Sequence, residues 1–121
     1  MEKEFIPYEQ ALGLKELGFD LPCLGYYHNI LGSDNANLFI KETTTEIYEM
    51  INLPEDIYTL APLYQQAFRW FREKYGLVCY VKYDSGIFEA FTDGGYYSKF
   101  NTCQEAELAC LKKLIEVVKI K

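Results

Sequence analysis

The chain has 121 residues, half of them hydrophobic and 17% aromatic, with eleven tyrosines and eight phenylalanines. That composition excludes a disordered segment and suffices for one core, so a single α+β domain over residues 1–121 is expected. A net charge of −6 speaks against broad phosphate-backbone binding, which needs clustered Lys and Arg.

Pro7–Gly18 reads as a first helix. Proline suits its start, Glu9 favours the positive N-terminal end, and Gly18 stops it. Gly13 inside it costs about 1 kcal/mol relative to alanine, so this helix must lean on tertiary packing. Cys23–Leu31 reads as extended, Gly32-Ser33-Asp34-Asn35 as a turn, and Ala36–Lys41 as the returning strand. Thr43–Ile51 is read as a strand from its β-branched start, with a helix opened by a Thr43-x-x-Glu46 capping box as the competing reading. Asn52–Leu60, with Pro54, is expected to connect.

Ala61–Leu77 is the strongest helical signal in the chain. Tyr64, Ala67, Phe68, Phe71 and Tyr75 repeat at i, i+3, i+4, i+7 and i+11, which makes one apolar stripe. Pro62 suits its first turn and Gly76 its C-terminal cap. Leu77–Tyr83 then alternates as a strand, Asp84-Ser85-Gly86 turns the chain, and Ile87–Thr92 returns antiparallel. Asp93-Gly94-Gly95 turns it again toward a third strand, Tyr96–Phe100. Thr102-Cys103-Gln104-Glu105 is a capping box opening a last helix to about Lys119, with Leu108, Leu111, Leu114, Ile115 and Val118 on its buried face.

The expected order is therefore α-β-β-(β)-α-β-β-(β)-α, with three helices packed against antiparallel sheet. A shift of 56 positions superimposes Tyr8 on Tyr64, Gln10 on Gln66, Ala11 on Ala67, Leu21 on Leu77, Cys23 on Cys79 and Tyr27 on Tyr83. Leu14 with Trp70 is similar in kind. These matches suggest an internal αββ pseudo-repeat.

Three stretches carry a resemblance: PYEQALGLKELGFDLPC at Pro7–Cys23, APLYQQAFRWFREKYGL at Ala61–Leu77, and TCQEAELACLKKLIEV at Thr102–Val117. They resemble small uncharacterised proteins of phages and prophages of gut Bacteroidetes, which share a PYEQAL opening, an APTYQQAFRWFREKYGL middle and a TYEEAELACLKKLIEIV ending. The motifs cover roughly 40% of the chain in the family's order. Departures are Gly13, Leu63 where Thr is usual, and Cys103-Gln104 where Tyr-Glu is usual. The resemblance implies a source and a compact fold, and it transfers no catalytic or ligand-binding residue.

The residues themselves offer little chemistry. Cys23, Cys79, Cys103 and Cys110 form no C-x-x-C pair, and His28 is the only histidine, so no zinc-ligand spacing is present. A thiol–imidazole pair of Cys23 or Cys79 with His28 lacks any marked orienting group, and small core hydrophobes are the expected role of the cysteines. Asp34, Asp84 and Asp93 sit in turn contexts where Asp caps backbone N–H groups, and neither they nor Asp20 form a metal-ligand pattern. No catalytic residue, cofactor or metal is expected. The chain has no apolar signal core or membrane-length run, so a cytoplasmic protein of the bacterial host with reduced thiols is expected.

The candidate interaction surface is Trp70, Arg69, Lys74, Tyr96 and Tyr97. Trp70 lies off the stripe, about 240° round the wheel from Tyr64, either as a partly exposed anchor or covered by another element. Arg69, Arg72 and Lys74 make a small basic cluster with Glu73 among them. Of Tyr96 and Tyr97, strand alternation places one inward and one outward. The expected function is that of a non-enzymatic accessory protein acting on another protein or a second copy of itself. The alternatives are a nucleic-acid-associated protein using Arg69, Arg72, Lys74, Lys82 and Lys99 beside exposed tyrosines, and a small enzyme with an unrecognised site.

Overall fold

The computed structural model describes residues 4–28, 37–40, 58–93 and 95–120. The turn at Gly32–Asn35 and the strand-or-helix segment Thr43–Ile51 lie outside the described residues. The architecture is α+β: among those residues three helices accompany two antiparallel sheets of three strands each. Two compact units divide the chain, residues 1–63 and 64–121. None of the described helices is long and apolar enough to cross a membrane.

The first unit begins with α1, Tyr8–Glu16. Pro7 is its N-cap residue, one position outside the helix, and offers no side-chain cap. The helix ends in a Schellman motif: Phe19 N–H donates to the Leu14 carbonyl, Gly18 N–H donates to that of Lys15, and Gly18 takes φ 93°. Gly13, Ala11 and Leu14 form its buried side, so the glycine sits where the helix packs closely. The sheet runs β2-β1-β3 with β1 at Gly25–His28, β2 at Asn37–Ile40 and β3 at Tyr58–Ala61. Residues 58–60 were expected to connect and Ala61 to open a helix; instead they pair with β1, Gly25 opposite Ala61 and His28 opposite Tyr58. The N-terminal segment closes this unit. Ile6 N–H donates to the Pro62 carbonyl at 3.0 Å, Phe5 bridges to Leu63, and both Phe5 and Ile6 are buried. Tyr27 adds a hydroxyl donated to the Ile6 carbonyl at 2.8 Å and an edge contact with Tyr8.

The second unit begins with α2, Tyr64–Tyr75, which ends at Gly76 with φ 68° and a bond from Gly76 N–H to the Arg72 carbonyl. Its buried side is turned from the five-residue stripe, because Trp70 joins Tyr64, Ala67 and Phe71 while Phe68 and Tyr75 are only half-buried. The sheet runs β4-β5-β6: Cys79–Asp84, Ile87–Thr92 and Tyr96–Phe100. Ser85 and Gly86 both take positive φ, the backbone of a two-residue hairpin turn that matches strand twist. At the other end of β4, Asp93 N–H donates to the Val78 carbonyl and Val78 N–H donates to the Asp93 carboxylate at 2.8 Å. The last helix, α3, runs Cys103–Ile120 and packs on β4, β5 and β6. Thr102 caps it, accepting Glu105 N–H at 3.2 Å while its hydroxyl donates to the Glu105 carboxylate. Ala106, Cys110, Leu111, Leu114 and Ile115 are its buried residues.

Candidate functional site: the open face of the second sheet

Register fixes which side chains share a face of the second sheet. Cys79–Thr92, Val81–Ala90 and Tyr83–Phe88 are cross-strand pairs, and Ala90–Ser98, Phe88–Phe100 and Thr92–Tyr96 continue them onto β6. That face meets α3: Ala90, Ala106 and Cys110 are fully buried, with Phe68, Cys79, Val81, Phe88, Tyr96 and Phe100 packed around them. The opposite face carries the alternate pairs, Tyr80–Phe91–Tyr97 and Lys82–Glu89–Lys99.

This outer face is aromatic and exposed. Tyr80 and Phe91 stack at 4.6 Å and 13°, and Phe91 and Tyr97 meet at 4.8 Å and 49°. Burial of the whole row would remove a large apolar area from water, yet Tyr80 remains 57% exposed and Tyr97 47%. Val78 and Ile87, near its two ends, are also exposed. The next row reads positive, negative, positive. Glu89 accepts the Tyr97 hydroxyl at 3.1 Å, and among the described residues neither Lys82 nor Lys99 forms an ion pair. Exposed aromatic rings are enriched at the centres of interfaces, and charged side chains such as Lys82, Glu89 and Lys99 suit the rim.

The five residues singled out from the sequence do not form one surface. Tyr97 lies in the row just described. Tyr96 is on the opposite face, half-buried, with the Lys113 ammonium 6.0 Å from its ring centre, so the expected alternation of the pair holds. Arg69 is exposed and paired with Glu73 at 3.0 Å, an i,i+4 ion pair in water that carries little energy. Of the two readings of Trp70, a partly exposed anchor or a covered residue, the covered one holds: the ring is 7% exposed and set edge-on against Phe71 and Tyr75. Lys74 holds its ammonium 5.0 Å from the Trp70 ring centre. The signal for this burial was in the sequence: the 56-residue shift pairs Trp70 with Leu14, which is fully buried. Tyr80, Phe91 and Glu89 were missed because their row exists only once the register of three strands is known.

A concavity of about 340 Å³ opens between α2, β4 and α3, with Arg72, Phe68, Cys79, Cys103 and Glu107 in its wall. Gln65 and Cys103 both donate to Glu107. The thiols here are held protonated. The Cys79 proton is retained by a hydrogen bond with Cys110 and by burial, and Cys103 is pushed up by burial and the Glu107 carboxylate. In the first unit, burial pushes the Cys23 thiol up to about 12. A nucleophilic cysteine needs the opposite shift and access to solvent; Cys110 is shifted down by its hydrogen bond with Cys79 but is fully buried. All four cysteines are free, and His28 ends β1. No group of three or more His, Cys, Asp or Glu residues among the described residues is arranged to hold a metal ion. No family model, curated protein or solved structure matches the chain.

Proposed function

We propose that the chain is a phage or prophage accessory protein that works in the cytoplasm of the bacterial host by binding another protein, and that it carries out no reaction of its own. The observation that carries this reading is the outer face of β4–β6, where the Tyr80–Phe91–Tyr97 row stays in water beside a row of alternating charge. The phage origin rests on the three resembling motifs at Pro7–Cys23, Ala61–Leu77 and Thr102–Val117. Cys23, Cys79 and Cys103 are held protonated, and Cys110, whose thiol is shifted down by its hydrogen bond with Cys79, is fully buried.

The test is affinity capture from phage-infected host cells with the tagged full chain and its Tyr80→Ala/Tyr97→Ala variant. A protein retained by the first and lost by the second, at equal melting temperature, supports the reading. A partner retained equally by both removes the sheet face from it.

A nucleic-acid reading draws on Lys82 and Lys99 standing beside aromatic rings. It is the weaker of the two, because Glu89 lies between these lysines and Phe91 already has a ring on either side. Oligonucleotide binding that weakens steeply with salt would favour it.

A further inference from the structure

We infer that the element seated on the outer face of β4–β6 is a short acidic segment of the partner protein. Its apolar side chains would lie on Tyr80, Phe91 and Tyr97, and its carboxylates on Lys82 and Lys99. The inference rests on the reading of that face as a protein-binding surface and adds the chemistry of what it binds.

Size limits the occupant. Three strands about 4.8 Å apart, six residues long at about 3.3 Å each, offer a face on the order of 300 Å². A standard stable interface takes about 800 Å² from each partner. A second copy laid sheet to sheet would therefore fall well short of a stable dimer, whereas one extended stretch or one helix is matched in size.

Charge selects the sign. The centre of the face carries two ammonium groups, Lys82 and Lys99, on the two outer strands, with Glu89 on the strand between. Glu89 is engaged by the Tyr97 hydroxyl at 3.1 Å, while both lysines lack an ion pair among the described residues. Two strand spacings separate the lysines, roughly 10 Å, a distance that carboxylates on one short segment can span. A basic segment would meet two like charges and one engaged carboxylate. An acidic one meets two cations that form no ion pair among the described residues, Lys99 being held against the Tyr97 hydroxyl, each flanked by ring surface that lowers the local dielectric.

The rings distinguish a peptide from a nucleic acid. A stacking platform needs open ring faces, and Phe91, at the centre of the row, is flanked at 4.6 Å by Tyr80 and at 4.8 Å by Tyr97. Such a row can still bury aliphatic side chains, and its tyrosine hydroxyls can meet a peptide backbone.

Fluorescence anisotropy with the full chain tests this, using a labelled peptide of alternating Glu and Leu. Controls are the same peptide with Gln for Glu, one with Lys for Glu, and single-stranded oligothymidylate. The Glu peptide should bind, and should weaken about tenfold with added salt and about tenfold in Lys82→Gln/Lys99→Gln, as expected for two partly desolvated charge contacts. Absence of binding by the Glu peptide, equal binding by the Gln peptide, or tighter binding of the Lys peptide or oligothymidylate overturns the inference. The two levels separate cleanly. If no peptide binds but Tyr80→Ala/Tyr97→Ala still loses a captured partner, the face stands and the acidic chemistry falls. If the Glu peptide binds that double variant undiminished, the face itself falls.

Discussion

Residues 4–63 and 64–120 each place a helix before a hairpin strand in a three-stranded antiparallel sheet, and related sequence lands in unlike surroundings. The 56-residue shift sets β1 against the last part of β4. β1 is the middle strand of its sheet, whereas β4 is an edge. Tyr27 consequently packs on Tyr8 and donates its hydroxyl to the Ile6 carbonyl, while its counterpart Tyr83 is 64% exposed. The helices agree better: Ala11 and Leu14 are as buried as Ala67 and Trp70. Helical burial follows from local periodicity, but a strand's burial depends on what pairs beside it. The first region completes itself with its own N-terminal segment. The second leaves one sheet face in water.

The largest effect should come where the regions differ most within the aligned helices. Phe71 is fully buried, and the shift places Lys15 opposite it. Phe71→Ala should cost about 3–5 kcal/mol in denaturant unfolding, enough to unfold a marginal domain. An unchanged melting temperature would remove α2 from its place as the second core's anchor.

Gly25 and Val81 are equivalent by the same shift and respond to alanine for opposite reasons. A Cβ at Gly25 would lie 2.7 Å from two carbons of the buried Phe5 ring and 3.0 Å from the Ala61 carbonyl. Gly25→Ala should therefore destabilise by about 1–3 kcal/mol through overpacking. Val81 packs on the Cys110 cluster, and Val81→Ala should cost about 1 kcal/mol through lost burial. Gly25→Ala at or above wild-type stability in urea would show that Phe5 can move aside.

Cys23 gives the first region an alkaline weakness. Its folded thiol titrates at about 12 against an ordinary value of 9.0. The unfolded chain thus loses its proton first, and stability is full below pH 9 and declines toward pH 12. The slope approaches about 1.4 kcal/mol per pH unit. Cys23→Ala should flatten the unfolding free energy across that window, and an unaltered slope would assign the loss to other groups.

Helix starts provide the smallest contrast. Thr102 caps α3 through its hydroxyl, while Pro7 offers α1 no side-chain cap. Thr102→Ala should cost about 1 kcal/mol. Thr102→Ser should restore most of it, and equal melting of all three proteins would show the cap to be idle.

Legibility in the sequence followed the same division. Ile87–Thr92 and Tyr96–Phe100 were read to the residue because alternation and turn residues are local signals. Tyr58–Ala61 was not, because a four-residue stretch between Pro54 and Pro62 becomes a strand only by pairing with β1. The buried side of α2 is turned from the wheel stripe toward Trp70, which is buried while Phe68 and Tyr75 are only half-buried, so Trp70 was considered for the surface although it belongs to the buried side. At the candidate site, Tyr97 and Lys99 were visible as residues, but the row that joins Tyr97 to Phe91 and Tyr80 depends on registers that no single strand encodes.

The pairing of Gly25 with Ala61 also has a bearing on time. β4 and β5 meet across a two-residue turn, so their union needs only a short loop to close. β1 cannot complete its second edge until a residue far down the chain arrives, and the chain entropy surrendered in that closure is larger. On a ribosome, the first half would emerge with its central strand still half-paired and wait for β3 to follow. In refolding, amide protection should therefore reach β5 before it reaches β3, and the reverse order would mean that the first half is nucleated by something other than its own sheet.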